Sequence, residues 1–308
     1  MRAGTGRKER NRMNLLPMTY FIEVAKQQGI SRAAESLQIT QQTLSSHIAS
    51  LEKELGCTLF VRRPKFRLTP EGELFLEYCR RFAGMDRSMR QEIKDLSGEI
   101  AGTVRVGISQ TRSVILMPKI IAGFQEQYPK VKIFLSEIAN DELLLRIGND
   151  ALDICVGDIS EERPDLLVEE LYRERMMLVI PRKPAFRPLA EAIREGGGLK
   201  RLSSWPIITN SRNDIVGRYI GRVLTENRIP PNIAAMSDMA ETCLRLCAEG
   251  VGVYICPELY TGFFPETEKQ CIVEPLPYSY AIHIARRRTA KRPAAVDRFA
   301  EYMKQNIK

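Results

Sequence analysis

Apolar positions in the first part of the chain fall on helical spacing in three short bursts. From Leu15 to Gln27, Phe21, Ile22, Val24 and Ala25 recur on one face of a helix that Gly29 is expected to end. Ser31 reads as the N-cap of a second helix running to Leu37, with Ala33, Ala34 and Leu37 on its small, apolar side. Thr40 reads as the cap of a third, in which Leu44, Ile48, Leu51 and Leu55 form one buried stripe. Gln41, Gln42, Thr43, Ser45 and Ser46 lie mostly off that stripe, near the helix N-terminus. A helix-turn-helix gives such a cluster a purpose. Its recognition helix enters the DNA major groove N-terminus first, where Gln, Ser and Thr can hydrogen-bond base edges.

The pattern changes after Gly56. The segment CTLFVRRPKFRLTPEG holds a short β-prone piece, then Arg62, Arg63, Lys65 and Arg67 around Pro64, which suits a wing lying along a phosphate backbone or minor groove. Thr69-Pro70 restarts a helix, with Thr as N-cap and Pro at the first helical position. Phe75, Tyr78, Phe82, Met85, Met89, Ile93 and Leu96 then follow near-heptad spacing without a breaker. Such a helix of about 27 residues spans roughly 40 Å. A single narrow stripe over so many turns needs a partner, so a coiled coil between two subunits is expected rather than packing on its own domain.

Beyond Gly98 the pattern repeats. Residues 104–158 read strand, polar loop, helix, Pro, strand, polar turn, helix, strand, and residues 205–258 follow the same plan with nearly the same spacing. Two similar βαβαβ halves imply two α/β lobes. The segment around Tyr172 to Met177 is expected to cross to the second lobe, and the strand near Tyr280 to Ala285 to cross back, leaving a helix at 291–306 on the first.

Charge sharpens the reading of the head. Residues 1–70 carry twelve Lys or Arg against five Glu, a net of +7 out of +8 for the chain. A basic head on a nearly neutral body is the footprint of a nucleic-acid-binding module, because Lys and Arg neutralise phosphates and release counterions. The twelve residues before Met13 read either as a flexible arm or as sequence ahead of a start at Met13.

With 308 residues, 44% hydrophobic and 27% charged, the chain is long enough for about two globular domains. The longest purely apolar run, Met176 to Ile180, is far short of the ~18 to 20 residues that span a bilayer, and no apolar segment follows the basic start as in an export signal. A soluble cytoplasmic protein with no membrane partner is expected. Seven cysteines (57, 79, 155, 243, 247, 256, 271) are odd in number and form no C-x-x-C, which fits reduced thiols. With only His47 and His283 besides, neither a metal site nor a cofactor is expected.

From Tyr20 to Phe82 the sequence resembles the LysR-type transcriptional regulators. The stretch SRAAESLQITQQTLSSHIASLEKELGCTLFVRR covers the helix-turn-helix and wing, and RLTPEG opens the linker helix. The Ala pair, the run S-x-x-I-x-x-LE-x-x-LG-x-x-LF-x-R and LT-x-x-G all stand in order. One departure is Gln41-Gln42, where many members have Gln-Pro. The resemblance implies DNA contacts from Gln41, Gln42, Thr43, Ser45 and Ser46, with Arg62, Arg63 and Lys65 of the wing on the backbone. By pattern more than by identities, the body resembles the effector-binding region of the same family, itself similar to periplasmic solute-binding proteins.

In open α/β sheets, ligands sit beyond the carboxyl ends of strands, beside helix N-termini. There the sequence places Ser109, Gln110 and Thr111 after the first strand, Asn140 after the second, and Thr209 and Asn210 in the second half. Together they suit a cleft for a small molecule, often an anion. Taken singly, each also reads as an ordinary helix cap. Arg112 could add charge to a ligand contact, but reads first as an exposed arginine.

Enzymatic signatures are weak. G-I-S-Q-T at 107–111 is not G-x-S-x-G, no Ser-His pair is evident, and Gly250-Val251-Gly252 is too short for a dinucleotide fingerprint. Two alternatives stand beside regulation by a bound effector. Cys243 and Cys247, at i and i+4, could form a thiol sensor, although TCLRLCAEG also reads as a buried face. A transporter's solute-binding protein is the other.

The expected architecture is α+β and multidomain: a winged helix-turn-helix at 13–69, a linker and dimerisation helix at 70–97, and a two-lobed α/β effector-binding domain at 102–308. Lobe I takes about 102–172 and 280–308, and lobe II about 173–279. The expected function is a non-enzymatic regulator, homodimeric or homotetrameric. It reads a pseudo-palindromic operator in double-stranded DNA and responds to a small-molecule effector held between the lobes.

Overall fold

The computed structural model describes residues 15–95, 100–159, 163–212, 214–264, 269–288 and 292–307. The arm expected before Met13 and Leu96, the last expected member of the linker stripe, lie outside these residues. The chain forms two compact units that divide near Arg90, each with its own apolar core.

The first unit holds α1 (Leu16–Gln27), α2 (Ile30–Ser36), α3 (Gln41–Leu55), an antiparallel ribbon of β1 (Phe60–Val61) and β2 (Arg67–Leu68), and most of α4 (Pro70–Asp95). Phe21, Val24, Ala33, Ala34, Leu44, Ile48 and Leu59 close its core. Helix ends differ in detail from expectation. Gln28 takes the left-handed conformation at φ 49°, so α1 ends before Gly29, which is merely extended. Ser31 sits inside α2, not at its cap, and its hydroxyl donates to Gln41 Oε1 at 3.1 Å. Thr40 does cap α3, its Oγ1 accepting the Thr43 N–H at 3.1 Å. Leu55 is 44% exposed, so the buried stripe stops at Leu51, one turn before Gly56 reverses the chain at φ 71°.

The second unit is built on an eight-stranded sheet with order β4-β3-β5-β10-β6-β9-β7-β8. Its first half runs β3 (Gly102–Ile108), α5 (Gln110–Gln127), β4 (Val131–Glu137), α6 (Asn140–Gly148) and β5 (Ile154–Gly157). After α7 (Arg187–Arg194), the second half repeats this as β7 (Ile207–Thr209), α8 (Ile215–Glu226), β8 (Ile233–Met236), α9 (Ala240–Ala248) and β9 (Val253–Pro257). In each, the first strand lies between the other two and pairs with both in parallel. Parallel strands with helical crossovers are covered on both faces, which is why Val104, Val106, Ile108, Val253, Tyr254 and Ile255 are all fully buried. Each apolar side chain so buried contributes about 1.5–3 kcal/mol.

Two long strands join the halves. β6 (Leu166–Pro181) and β10 (Cys271–Arg287) pair antiparallel along most of their length. The end of β10 at His283 to Arg286 also pairs with β5, whereas Met176 to Val179 of β6 pair with β9. Between those points the ladder shifts register, at Pro275/Ser279 and at Ile282/His283, so both strands bend as they pass from one half to the other. A short helix, α10 (Glu258–Phe263), follows β9, and α11 (Ala294–Asn306) packs on the first half through Phe299, edge-on to Phe124 at 4.8 Å.

Candidate functional site

The head presents α3 and the ribbon together. Glu52 on α3 accepts the N–H groups of Leu59 at 2.8 Å and Phe60 at 3.3 Å, tying the helix to the first strand of the ribbon. Gly72 on α4 lies so close to the same segment that a Cβ there would overlap the Leu59 carbonyl oxygen. Thr69 Oγ1 accepts the Gly72 N–H at 3.0 Å and donates to the Thr58 carbonyl at 2.8 Å. The LE and LT-x-x-G motifs are therefore the residues that fix the ribbon beside α3.

On this frame the first turn of α3 is open. Gln41, Gln42, Thr43 and Ser46 are exposed and Ser45 is half-buried. Gln41 is held by Ser31, and the Thr43 hydroxyl lies 2.8 Å from that of Thr40. Arg62, Arg63, Lys65 and Arg67 are exposed along the ribbon and its turn, with Arg62 3.6 Å from Glu52. His47 meets the Tyr20 ring edge-on at 5.0 Å and serves packing.

α4 carries two apolar faces. Leu76 and Cys79 join the core of the head, while Tyr78, Phe82, Met85, Met89 and Ile93 are exposed, Met85 at 63%.

In the second unit, the polar loops at the strand ends differ in how their side chains are held. Ser109 stands at the N-cap position of α5 but makes no side-chain capping bond, and its Oγ accepts instead from Arg112 Nη1 at 3.1 Å. Gln110 is exposed and Thr111 half-buried. The Asn140 amide clasps Asp158, donating to its carbonyl at 2.8 Å and accepting its N–H at 3.0 Å. Thr209 donates to the Asn210 carbonyl at 3.0 Å, and Asn210 Oδ1 accepts from Tyr254 Oη at 2.7 Å. Between the two halves, Arg218 of α8 reaches Asp141 of α6 at 3.2 Å.

Arg112 is not exposed as expected; its side chain is 1% accessible. Its Nε and Nη2 reach the two carboxylate oxygens of Glu174 at 2.9 and 2.5 Å, and Nη2 also donates to Tyr280 Oη at 2.7 Å. Tyr172 Oη donates to one oxygen of Glu174 at 2.7 Å and Tyr280 Oη to the other. Tyr280 stands opposite Glu174 in the β6–β10 ladder. Tyr219 of α8 stacks on Tyr280 at 4.3 Å between ring centroids, and the Arg112 guanidinium carbon lies 5.9 Å from the Tyr260 ring centroid. Burial alone would raise the Glu174 pKa, but the Arg112 charge and the donors on both oxygens hold it below the ordinary carboxylate value. Asp158, with fewer compensating partners, is pushed up by burial.

Sequence reasoning missed Glu174, Tyr172 and Tyr280. The only local signal was the arginine three residues after Ser109, in the first turn of a helix that follows a strand.

The cysteines all stand as free thiols. Cys243 and Cys247 are buried, and their sulfurs point to different carbonyls, Ser237 at 3.3 Å and Val179 at 3.4 Å respectively. Burial pushes the Cys243 thiol up to about 11. Among the described residues no group of three or more His, Cys, Asp or Glu is placed to hold a metal ion, and no helix is long and apolar enough to cross a membrane.

A winged head with an open polar helix start, a helix carrying an exposed apolar stripe, and an α/β unit of two repeated halves with polar loops at its strand ends define a DNA-binding regulator with a ligand-binding domain. Residues 16–73 match "Bacterial regulatory helix-turn-helix protein, lysR family", and residues 97–308 match "LysR substrate binding domain". The chain is 30% identical over 244 residues to the "Uncharacterized HTH-type transcriptional regulator YybE" of Bacillus subtilis (strain 168), covering 79% of this chain and 82% of that one. It belongs to the LysR family of transcriptional regulators. Solved structures share its fold. A full-length OxyR variant from Pseudomonas aeruginosa aligns at a TM-score of 0.69 with 22% identity, covering 95% of this chain and 98% of that one. CbnR complexed with its target DNA aligns at 0.66 with 20% identity, covering 95% and 99%.

Proposed function

We propose that the protein is a cytoplasmic, non-enzymatic homo-oligomer that binds a pseudo-palindromic operator with paired heads and is switched by a small anionic effector in the cleft. It is parsed as a head at 13–69, a linker at 70–97 and an effector domain at 102–308. The observation that carries this reading is the exposed amide and hydroxyl cluster at the start of α3, set beside a basic ribbon in one unit. Gln42, Ser45 and Ser46 read base edges, Gln41 and Thr43 support them, and Arg62, Arg63 and Lys65 hold the phosphates. The exposed stripe of α4 pairs two chains, which sets two heads at successive turns of DNA.

In the effector domain, Ser109, Gln110 and Thr111 at the start of α5 meet the ligand. Asn140, Thr209 and Asn210 shape the cleft from its two sides. Effector binding changes the population of two arrangements of the half-sheets, which requires unequal affinity for them. No catalytic step is assigned, since His47 packs on Tyr20 and His283 Nδ1 accepts the Ile159 N–H at 3.3 Å. A thiol switch through Cys243 and Cys247 is not favoured, because the high pKa that burial gives Cys243 suppresses its reactive thiolate.

Footprinting of the purified protein on its genomic DNA tests the first half of this reading. Protected sites should contain two related half-sites about one helical turn apart, and binding without sequence preference would reject it. A thermal-shift screen of small metabolite acids tests the second. A true effector stabilises by about 2.7 kcal/mol at a hundredfold excess over Kd, and a shift kept in full by Ser109→Val with Thr209→Val would reject the cleft assignment.

A further inference from the structure

Arg112 stands where an anion receptor is expected, in the first turn of α5 just beyond the carboxyl end of β3. That receptor is already filled from within the chain. The Glu174 carboxylate lies on the Nε and Nη2 edge of the guanidinium, and the phenols of Tyr172 and Tyr280 donate to its two oxygens, one to each. Four donors on two oxygens are what a built site offers a free carboxylate. Arg112 and Glu174 are each 1% accessible, so the pair is sealed from water. Glu174 also belongs to the part of β6 that passes between the two halves of the sheet, so its release would free a crossing strand.

We propose that Arg112, Tyr172 and Tyr280 form a carboxylate receptor where β6 and β10 pass between the two halves, occupied by the protein's own Glu174, which a small free carboxylate enters only by displacing that tethered side chain. The proposal rests on the reading of the cleft as the effector site, and adds the receptor, its occupant and the class of ligand. A tethered occupant competes at high effective concentration, so the wild-type protein holds free carboxylates weakly while the receptor stays latched. Arg112 Nη1 faces the Ser109 hydroxyl, which links the latch to the start of α5.

The test is full-length Glu174→Ala, which removes the occupant and keeps every donor. Acetate is titrated by calorimetry and thermal denaturation, with chloride at equal ionic strength and methyl acetate as the uncharged control. Acetate should bind the variant at least about tenfold more tightly than the wild type, and should raise its Tm where chloride and methyl acetate do not. Adding Arg112→Met should abolish both effects. Equal acetate affinity in wild type and Glu174→Ala, or binding that survives Arg112→Met, overturns the proposal. If Glu174→Ala is recovered only unfolded, refolding in acetate against chloride reads the same receptor: recovery in acetate alone supports it, and equal recovery overturns it. An effector found in the wild-type screen would stand even if acetate ignored Glu174→Ala, so the receptor and the effector cleft fail separately.

Discussion

The Glu52 carboxylate accepts the backbone N–H of Leu59 at 2.8 Å, and this bond joins the recognition helix to the wing. Because Phe60 N–H shares the same oxygen at 3.3 Å, Glu52→Ala leaves two partly buried donors without their acceptor. The head should lose about 1–3 kcal/mol, read as a lower first transition in chemical denaturation. Affinity for operator DNA should fall with it, since the wing is no longer held beside α3. An unchanged transition would show that the bond is incidental.

Gly72→Ala should be more damaging than its size suggests. A Cβ overlapping the Leu59 carbonyl oxygen forces the backbone of the wing or of α4 to move, at a cost of about 1–3 kcal/mol. An Ala variant as stable as the wild type would mean that the start of α4 shifts at no cost to admit the methyl group.

Base reading and phosphate binding should separate by mutation. Gln42→Ala should relax preference at one base pair by roughly 1–3 kcal/mol and spare random DNA, whereas Arg63→Ala should weaken binding to every sequence and reduce the salt slope by about one. Electrophoretic titration of operator and random duplexes at several salt concentrations reads both. The same loss on both duplexes for both variants would sink the division of roles.

Exposed Phe82 and Met89 mark the stripe on α4 that a second chain should cover. Replacing both by Glu should split the oligomer, because opposed carboxylates would be buried unpaired. Sedimentation velocity is the measurement, and an unaltered oligomer would reject the seam.

Glu174 supplies a pH dependence with a definite sign. Its pKa is depressed in the fold relative to the ordinary 4.5, so the unfolded chain binds more protons through that window and stability rises with pH. The contribution is complete above about pH 4.5 and is lost as pH falls through the depressed value. Arg112→Met alone should cost about 3–5 kcal/mol at neutral pH, while Arg112→Met with Glu174→Leu should recover most of it and flatten the acid limb of a Tm-against-pH curve. A double variant with the wild-type acid limb would assign that limb to other carboxylates.

Local order was legible in the sequence because it is written in local terms. Thr40 and Thr69 cap their helices through hydrogen bonds that close within three residues, and the stripes of α3 and α4 repeat with the helix itself. The repeated halves of the second unit were legible for the same reason, since each strand and helix declares itself by its own period. Tertiary structure decided what long separations control. Arg112 and Glu174 lie 62 positions apart, and nothing in EELYRERMM marks Glu174 rather than Glu169 or Glu170 as the carboxylate to be buried. The bends of β6 and β10 make that choice, by placing Tyr172, Glu174 and Tyr280 together where the strands change halves. Burial then made the pairing obligatory, because a guanidinium and a carboxylate sealed from water are stable only on each other. The polar loops were settled in the same way: the sequence put Asn140, Thr209 and Asn210 at strand ends, and packing turned their side chains onto Asp158, the Asn210 carbonyl and Tyr254, because amides and hydroxyls withdrawn wholly or partly from water must find partners wherever the fold supplies them.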